Sequence, residues 1–213
     1  TVKKLKSKKS QLLPAFDLFA DNKRWVAWDE VPRGDGFQKV PYCAPGARAN
    51  ISDASTWLTR SKAVKLSKDA HLRGVGIVLG RVTPKYRLCG VDLDECCEAT
   101  SGTLDPWAVQ IVKRLDSLTE FSPSRKGVKT FVLVSHKVYA KLCKSNLLGK
   151  SKNRIQFKRA HAGGRHAPGI EVDFGARYYT TTGKCVPSTP DRIQPVDYAT
   201  LRWLIGTAGP QYL

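Results

Sequence analysis

The sequence predicts a mixed α+β fold, and two patterns carry that prediction. Short apolar runs rich in Val, Ile and aromatic residues, at 24–29 (RWVAWD), 74–79 (GVGIVL), 88–93 (LCGVDL) and 128–134 (VKTFVLV), have the length and polar borders of β-strands. Between them, stretches around 57–68 and 106–115 place apolar residues at helical spacing. With 213 residues and 41% hydrophobic content, the chain can bury one sizeable core, or two small lobes that share one.

In chain order, residues 12–19 read as a short helix and 24–29 as a strand. A Gly-rich turn at 32–36 joins that strand to an extended piece at 38–42, making a hairpin. Asp53 or Ser55 can cap a helix that enters at Trp57 and runs through Lys68. The runs 74–79 and 88–93 read as adjacent buried strands across a polar turn. Asp105 followed by Pro106 is a cap-then-proline helix start, and Trp107, Ile111, Val112 and Leu115 form the apolar stripe of a helix that ends before Glu120. The turn 122–127 leads into the strongest strand, 128–134. A basic connector follows. Residues 169–174 and 177–182 then read as a pair of strands around Gly175, and 195–204 (PVDYATLRWL) as a closing helix. The expected division is a basic tail at 1–10, a core at 11–190 and a closing segment at 191–213.

Lys and Arg number 36 against 18 Asp and Glu, a formal charge of +18. The excess is concentrated: Lys3, Lys4, Lys6, Lys8 and Lys9 stand in a tail without acids, and 135–168 holds nine Lys or Arg, again without an acid. Such segments attract a polyanion, so phosphate-backbone contact is expected. The apolar stretch 11–20 is interrupted by Pro14 and Asp17 and is too short to span a bilayer. Six cysteines show no C-x-x-C pair and follow no secretory signal, which predicts reduced thiols in a cytoplasmic protein. The chain starts at Thr1 and has no Met, as expected of a piece of a longer reading frame.

Val91-Asp92-Leu93-Asp94 is the sharpest local feature. Side chains alternate along a strand, so Asp92 and Asp94 share one face while Val91 and Leu93 turn to the core. Two carboxylates so placed can share one or two hard cations, and Mg²⁺ and Mn²⁺ prefer oxygen ligands. Glu171 and Asp173 repeat the spacing on another predicted strand. If the two strands are neighbours the acids converge, and cations or lysines must lie among them. Between the two clusters, 119–129 (TEFSPSRKGVK) combines hydroxyls, backbone amides and three cations, a turn able to hold a triphosphate. His161, His166, Cys143 and Cys185 match no strong zinc spacing, so no zinc is expected. Trp25, Trp28 and Tyr178 are able to stack on bases but read first as core.

The order of these features is the strongest signal. Asp-x-Asp on a strand, a helix, T-E-F-S-P-S-R-K-G into a strand, then I-E-V, then A-R-Y-Y-T-T-T-G, resembles the archaeo-eukaryotic primase superfamily, and within it the bifunctional primase-polymerase domains of phages and plasmids. The strand at 24–28, the Lys39-Val40-Pro41-Tyr42 segment and Ala54 to Trp57 ahead of a helix look like that group too. The resemblance covers roughly residues 22–185.

It implies an RRM-like catalytic sheet, antiparallel or mixed, with flanking helices and interlocked with a smaller N-terminal α/β part. By the same resemblance, Asp92 and Asp94 are the paired metal carboxylates of a two-ion Mg²⁺ or Mn²⁺ site, with Glu171 third and Asp173 its understudy. Ser122, Ser124, Lys126 and Lys129 line the triphosphate of a dNTP or NTP, with Arg177, Thr180 and Thr182 near the nucleotide. Lys39, and in the basic connector Lys150, Lys152, Arg154, Lys158 and Arg159, are expected on a single-stranded or primed DNA template, with a helicase as a further partner. The implied activity is nucleotidyl transfer to a 3′-hydroxyl with pyrophosphate release. Many members have Gly after the second serine and His a few positions on; Arg125 and Lys129 stand there instead. A lysine binds phosphate well as a point charge but is no neutral acceptor. Two other readings use the same residues: a catalytically degenerate single-strand-binding module, and a two-metal nuclease that needs no triphosphate pocket.

Overall fold

The computed structural model describes residues 14–159 and 167–213, so the lysine tail, His161 and His166 lie outside the described residues. Two sheets make up the molecule. In chain order the strands are β1 (Trp25–Arg33), β2 (Gly36–Ala44), β3 (Ala47–Arg48), β4 (Gly74–Val78), β5 (Gly80–Arg81), β6 (Tyr86–Asp94), β7 (Thr119–Phe121), β8 (Val128–Ser135), β9 (Arg154–Lys158), β10 (Gly169–Asp173), β11 (Tyr178–Thr181) and β12 (Gln194–Val196). The helices are α1 (Arg60–Asp69), α2 (Pro106–Leu115), α3 (His136–Lys144), α4 (Tyr198–Trp203) and α5 (Gly209–Tyr212).

The first sheet is antiparallel throughout, in the order β11-β4-β1-β2-β3. The second runs β12-β8-β6-β10-β9, with β5 also on β6 and β7 on β8; only β12, parallel to β8, breaks its antiparallel pairing. Period-two alternation divides the second sheet cleanly. Val91, Leu93, Val128, Val132, Ile170, Val172 and Phe157 face a core completed by α2 and α4 through Ile111, Leu115 and Leu201. On the opposite face Leu88 and Phe131 pack with Trp25, Ile77 and Tyr179 of the first sheet. That second face also carries the acids.

Several predicted elements sit differently. The strands from 74–79 and 88–93 are not neighbours: the chain leaves the first sheet at Leu79, turns at Gly80 with φ +128°, and enters the second. Likewise β10 and β11 lie in different sheets, because Gly175 and Ala176 (φ +54°) turn the chain back to β4. Asp53 caps only a 3-10 turn at Ala54–Thr56, accepting from Ser55 N at 2.9 Å, and α1 starts at Arg60. Trp57 is outside the helix because its backbone is extended and the next residue, Leu58, pairs with Trp25 as a β-bridge; its indole N–H donates to Asn50 O at 2.9 Å. The basic connector contains α3, capped by Ser135, and β9, since Leu142 and Phe157 give each a buried anchor. The closing helix begins only at Tyr198; residues before it pair with β8 as β12, and Asp197 caps the helix through Thr200 N at 2.8 Å. The segment 12–19 is a 3-10 turn over its described part, Pro14–Phe19.

Candidate active site

Strand register brings the acids together. On the face turned toward the first sheet, Asp92 of β6 lies opposite Lys129 of β8 on one side and Glu171 of β10 on the other. The row extends to Glu120 of β7 beyond Lys129 and to Gln156 of β9 beyond Glu171. One carboxylate oxygen from each of Asp92, Asp94 and Glu171 lies within 4.8 Å of the others. Like charges that close repel by about 3 kcal/mol per pair at an effective dielectric of roughly 20, so the cluster requires cations.

Protein cations are at hand. Lys129, only 7% exposed, is ion-paired with Asp92 Oδ2 and sits 4.9 Å from the Tyr179 ring centroid. Arg154 pairs with Glu171 Oε2, and its Nε lies 3.4 Å from Asp173 Oδ1. Lys158 Nζ at 2.8 Å and Gln156 Nε2 at 2.6 Å both reach Glu171 Oε1. Asp92 Oδ1 is buried without a hydrogen-bond partner among the described residues. An orphaned carboxylate oxygen beside two further acids is an all-oxygen donor set that suits a hard cation.

Asp173 sits deeper, 1% exposed, and accepts from Tyr179 Oη at 3.0 Å. Burial raises its pKa, against the pull of Arg154. The Tyr179 ring occupies the space over Gly90, where a Cβ would come within 2.2 Å of it, so the glycine of LCGVDL admits the tyrosine that supports the acid row.

The serine turn abuts the same strand end. Gly127 packs so tightly on β6 that a Cβ there would lie 2.4 Å from Leu93 O, which brings the turn alongside Asp94. Within it the Ser122 and Ser124 hydroxyls are 3.1 Å apart, and Gly127 N–H donates to Ser122 Oγ at 3.3 Å. Lys126 points outward, 3.8 Å from Glu95.

A cavity of about 190 Å³ opens over the acids. It is lined by Asp92, Glu171 and Asp173, by the cations Lys39, Lys129, Arg154 and Arg177, and by Tyr178, Tyr179 and Thr180. Partial desolvation, then the charge of Lys129, lowers the Lys39 pKa, while Asp92 and Glu30 pull it back. An adjoining cleft of about 510 Å³ shares Lys39, Arg177 and Tyr178 and adds Arg48 and Asn50. The hydroxyl of Thr180 is buried and has no partner among the described residues. Thr182 is not in this cavity. Its N–H donates to Glu120 Oε2 at 2.8 Å and its hydroxyl to Phe121 O at 2.8 Å, and it lines a separate cavity of about 400 Å³ with Pro123, Lys68 and Lys184.

Of the residues expected on a template, Lys39 lines the acid cavity, while Arg154 and Lys158 engage the acids. Arg159 donates to Tyr212 O at 2.5 Å and lies over that ring. Lys150 and Lys152 are exposed in the turn between α3 and β9. Sequence reasoning assigned nothing to Gln156, Tyr179 or Glu120. Only the alternation of RIQFK hinted at the first, and the tight L-C-G-V run at the second.

Among the described residues no helix is long and apolar enough to cross a membrane. No family model matches the chain. A DNA primase-polymerase of Nitratiruptor phage NrS-1 is 27% identical over 190 residues, which cover 89% of this chain and 23% of the relative. The chain is thus distantly related to a phage primase-polymerase and spans about a quarter of that protein's length.

Proposed function

We propose that this chain is the catalytic core of a template-dependent DNA primase-polymerase, adding nucleotides to a 3′-hydroxyl with release of pyrophosphate. The observation that carries the reading is the meeting of Asp92, Asp94 and Glu171 on neighbouring strands beside a cleft lined by Lys39, Lys129 and Arg177. The distant relationship to a phage DNA primase-polymerase points the same way. In this reading the helix-backed second sheet is the RRM-like catalytic part, interlocked with the first through β11.

Two Mg²⁺ or Mn²⁺ ions held by Asp92, Asp94 and Glu171, with Asp173 behind them, would acidify the attacking hydroxyl and offset triphosphate charge. The chain's own part is positioning and charge, and no protein nucleophile is needed. Hydroxyls of Ser122 and Ser124 would contact the phosphates, Lys129 and Arg177 would supply cations to them, and Lys126 would act from the rim. The Thr180 hydroxyl, without a partner among the described residues, can donate into the cavity. Thr182 works from behind, tying its turn to Glu120 and Phe121. The nucleoside end would extend into the adjoining cleft of about 510 Å³. Lys150 and Lys152, both exposed, would follow the template backbone. A helicase would complete such a core in the cytoplasm of a bacterial host.

One observation favours a second reading. Asp92 and Glu171 already have protein cations as partners, as expected of a degenerate module that binds single strands without chemistry. Primer extension decides between them. With a primed single-stranded template, labelled dNTPs and Mg²⁺ or Mn²⁺, the parent should extend the primer and Asp92→Ala/Asp94→Ala should not. A parent that binds the template yet adds no nucleotide with either ion leaves the binding module as the better account.

A further inference from the structure

The three acids brought together here do not wait bare for a cation. Both oxygens of Glu171 are taken, Oε2 by Arg154 and Oε1 by Lys158 and Gln156, and Asp92 Oδ2 is taken by Lys129. The four carboxylates Asp92, Asp94, Glu171 and Asp173 stand among the three cations Lys129, Arg154 and Lys158, so built-in positive charge offsets most of theirs. Lys39 and Arg177 line the same cavity. Such a site attracts a divalent ion weakly, because the attraction is already spent on built-in partners.

Lys129 differs from the other two cations in where it stands. Arg154 and Lys158 come from β9, on the far side of Glu171. Lys129 comes from β8, one residue beyond Val128 at the exit of the serine turn, and it lines the cavity that opens over the acids. Its ammonium is paired with Asp92 and lies over the Tyr179 ring, 4.9 Å from the centroid, at the wall of that cavity, so a short swing of a flexible side chain carries it from the carboxylate to a ligand there.

We infer that Lys129 is an exchangeable internal counter-ion: it occupies Asp92 until a divalent cation arrives with a triphosphate, then hands the carboxylate to the metal and turns its charge to the phosphate. This rests on the reading of Asp92, Asp94 and Glu171 as metal ligands. Its consequence is coupling. Metal and nucleotide must bind far better together than apart, and by linkage each raises the affinity of the other by the same factor.

The test is equilibrium binding of Mn²⁺, followed by the electron paramagnetic resonance of the free ion, with and without an α,β-imido deoxynucleoside triphosphate. The full chain is compared with Lys129→Met and Asp92→Asn. The parent should bind Mn²⁺ weakly alone and roughly tenfold or more tightly with the nucleotide. Lys129→Met should bind Mn²⁺ alone about tenfold more tightly than the parent, and the nucleotide should add much less. Should Lys129→Met not fold without metal, Lys129→Gln is measured the same way, and the metal-dependent rise in Tm of either variant should exceed that of the parent. If both Lys129 variants bind Mn²⁺ no better than the parent while Asp92→Asn loses it, the exchange is wrong and the metal site stands. If Asp92→Asn binds Mn²⁺ as the parent does, the metal-site reading fails and the inference falls with it.

Discussion

Glu120 lies in the same cross-strand row as Asp92 and Glu171, yet its oxygens are turned to the backbone: Oε2 accepts from Thr182 N–H and Oε1 from Gly183 N–H, at 2.8 and 3.2 Å. Burial raises its pKa above the usual carboxylate value, and the two N–H groups only partly offset this. A carboxyl whose folded pKa is raised stabilises the fold fully below its unfolded pKa, and that stability is lost as pH rises through the folded value. Lowering the pH from neutral through this raised pKa should therefore add stability, and the gain should be absent in Glu120→Gln. Tm measured against pH for both proteins checks it; parallel curves would remove Glu120 as the source. At this scale the sequence was legible where chemistry is local. Asp92 and Asp94 share a face because they are two apart on a strand, and Glu171 and Asp173 follow the same rule. The partners were not legible, since the pairing of Lys129 with Asp92 depends on the register of two strands 37 residues apart at that contact.

Gly90 and Tyr179 show what one element demands of another. A methyl at Gly90 would meet three ring atoms at 2.2 to 2.8 Å, and the ring is wedged against Phe131 at 5.9 Å between centroids. Gly90→Ala should cost about 1–3 kcal/mol by overpacking, a fall in Tm of about 3–10 °C for a chain of this size. It should also displace the hydroxyl that donates to Asp173. Thermal melts read the first effect, and an unchanged Tm would mean the ring has room to move. Strands β6 and β8 were readable from their short apolar runs, rich in Val and bounded by polar residues. The helix α3 and strand β9 were hidden because their charges dominate a stretch whose anchors are single residues, Leu142 and Phe157. Adjacency failed at Gly80 and Gly175 for one reason: both are sharp turns that move the chain between sheets, and local sequence marks a turn without saying where the next strand will pair.

Across the whole molecule, a charge of +18 coexists with a site whose own acids are nearly neutralised, so the basic excess is available to a polyanion. Lys150 and Lys152 are exposed and clear of the acids, whereas Arg154 and Lys158 of the same stretch are committed to Glu171. Lys150→Ala/Lys152→Ala should therefore weaken single-strand binding and flatten the slope of log K against log salt by about 1.4, at about 0.7 per phosphate contact. Extension at saturating template should be unaffected. The α+β class followed from patterning over the whole chain, but the two-sheet arrangement rests on pairings that no local signal encodes.

The most direct measurement is pyrophosphate release on homopolymeric primed templates, with one dNTP at a time and Mg²⁺ or Mn²⁺ present. Release with the complementary dNTP alone, abolished by Asp92→Ala/Asp94→Ala, is the predicted result. No release from any dNTP with either ion, by a protein that demonstrably holds the template, would contradict the account of a templated nucleotidyltransferase.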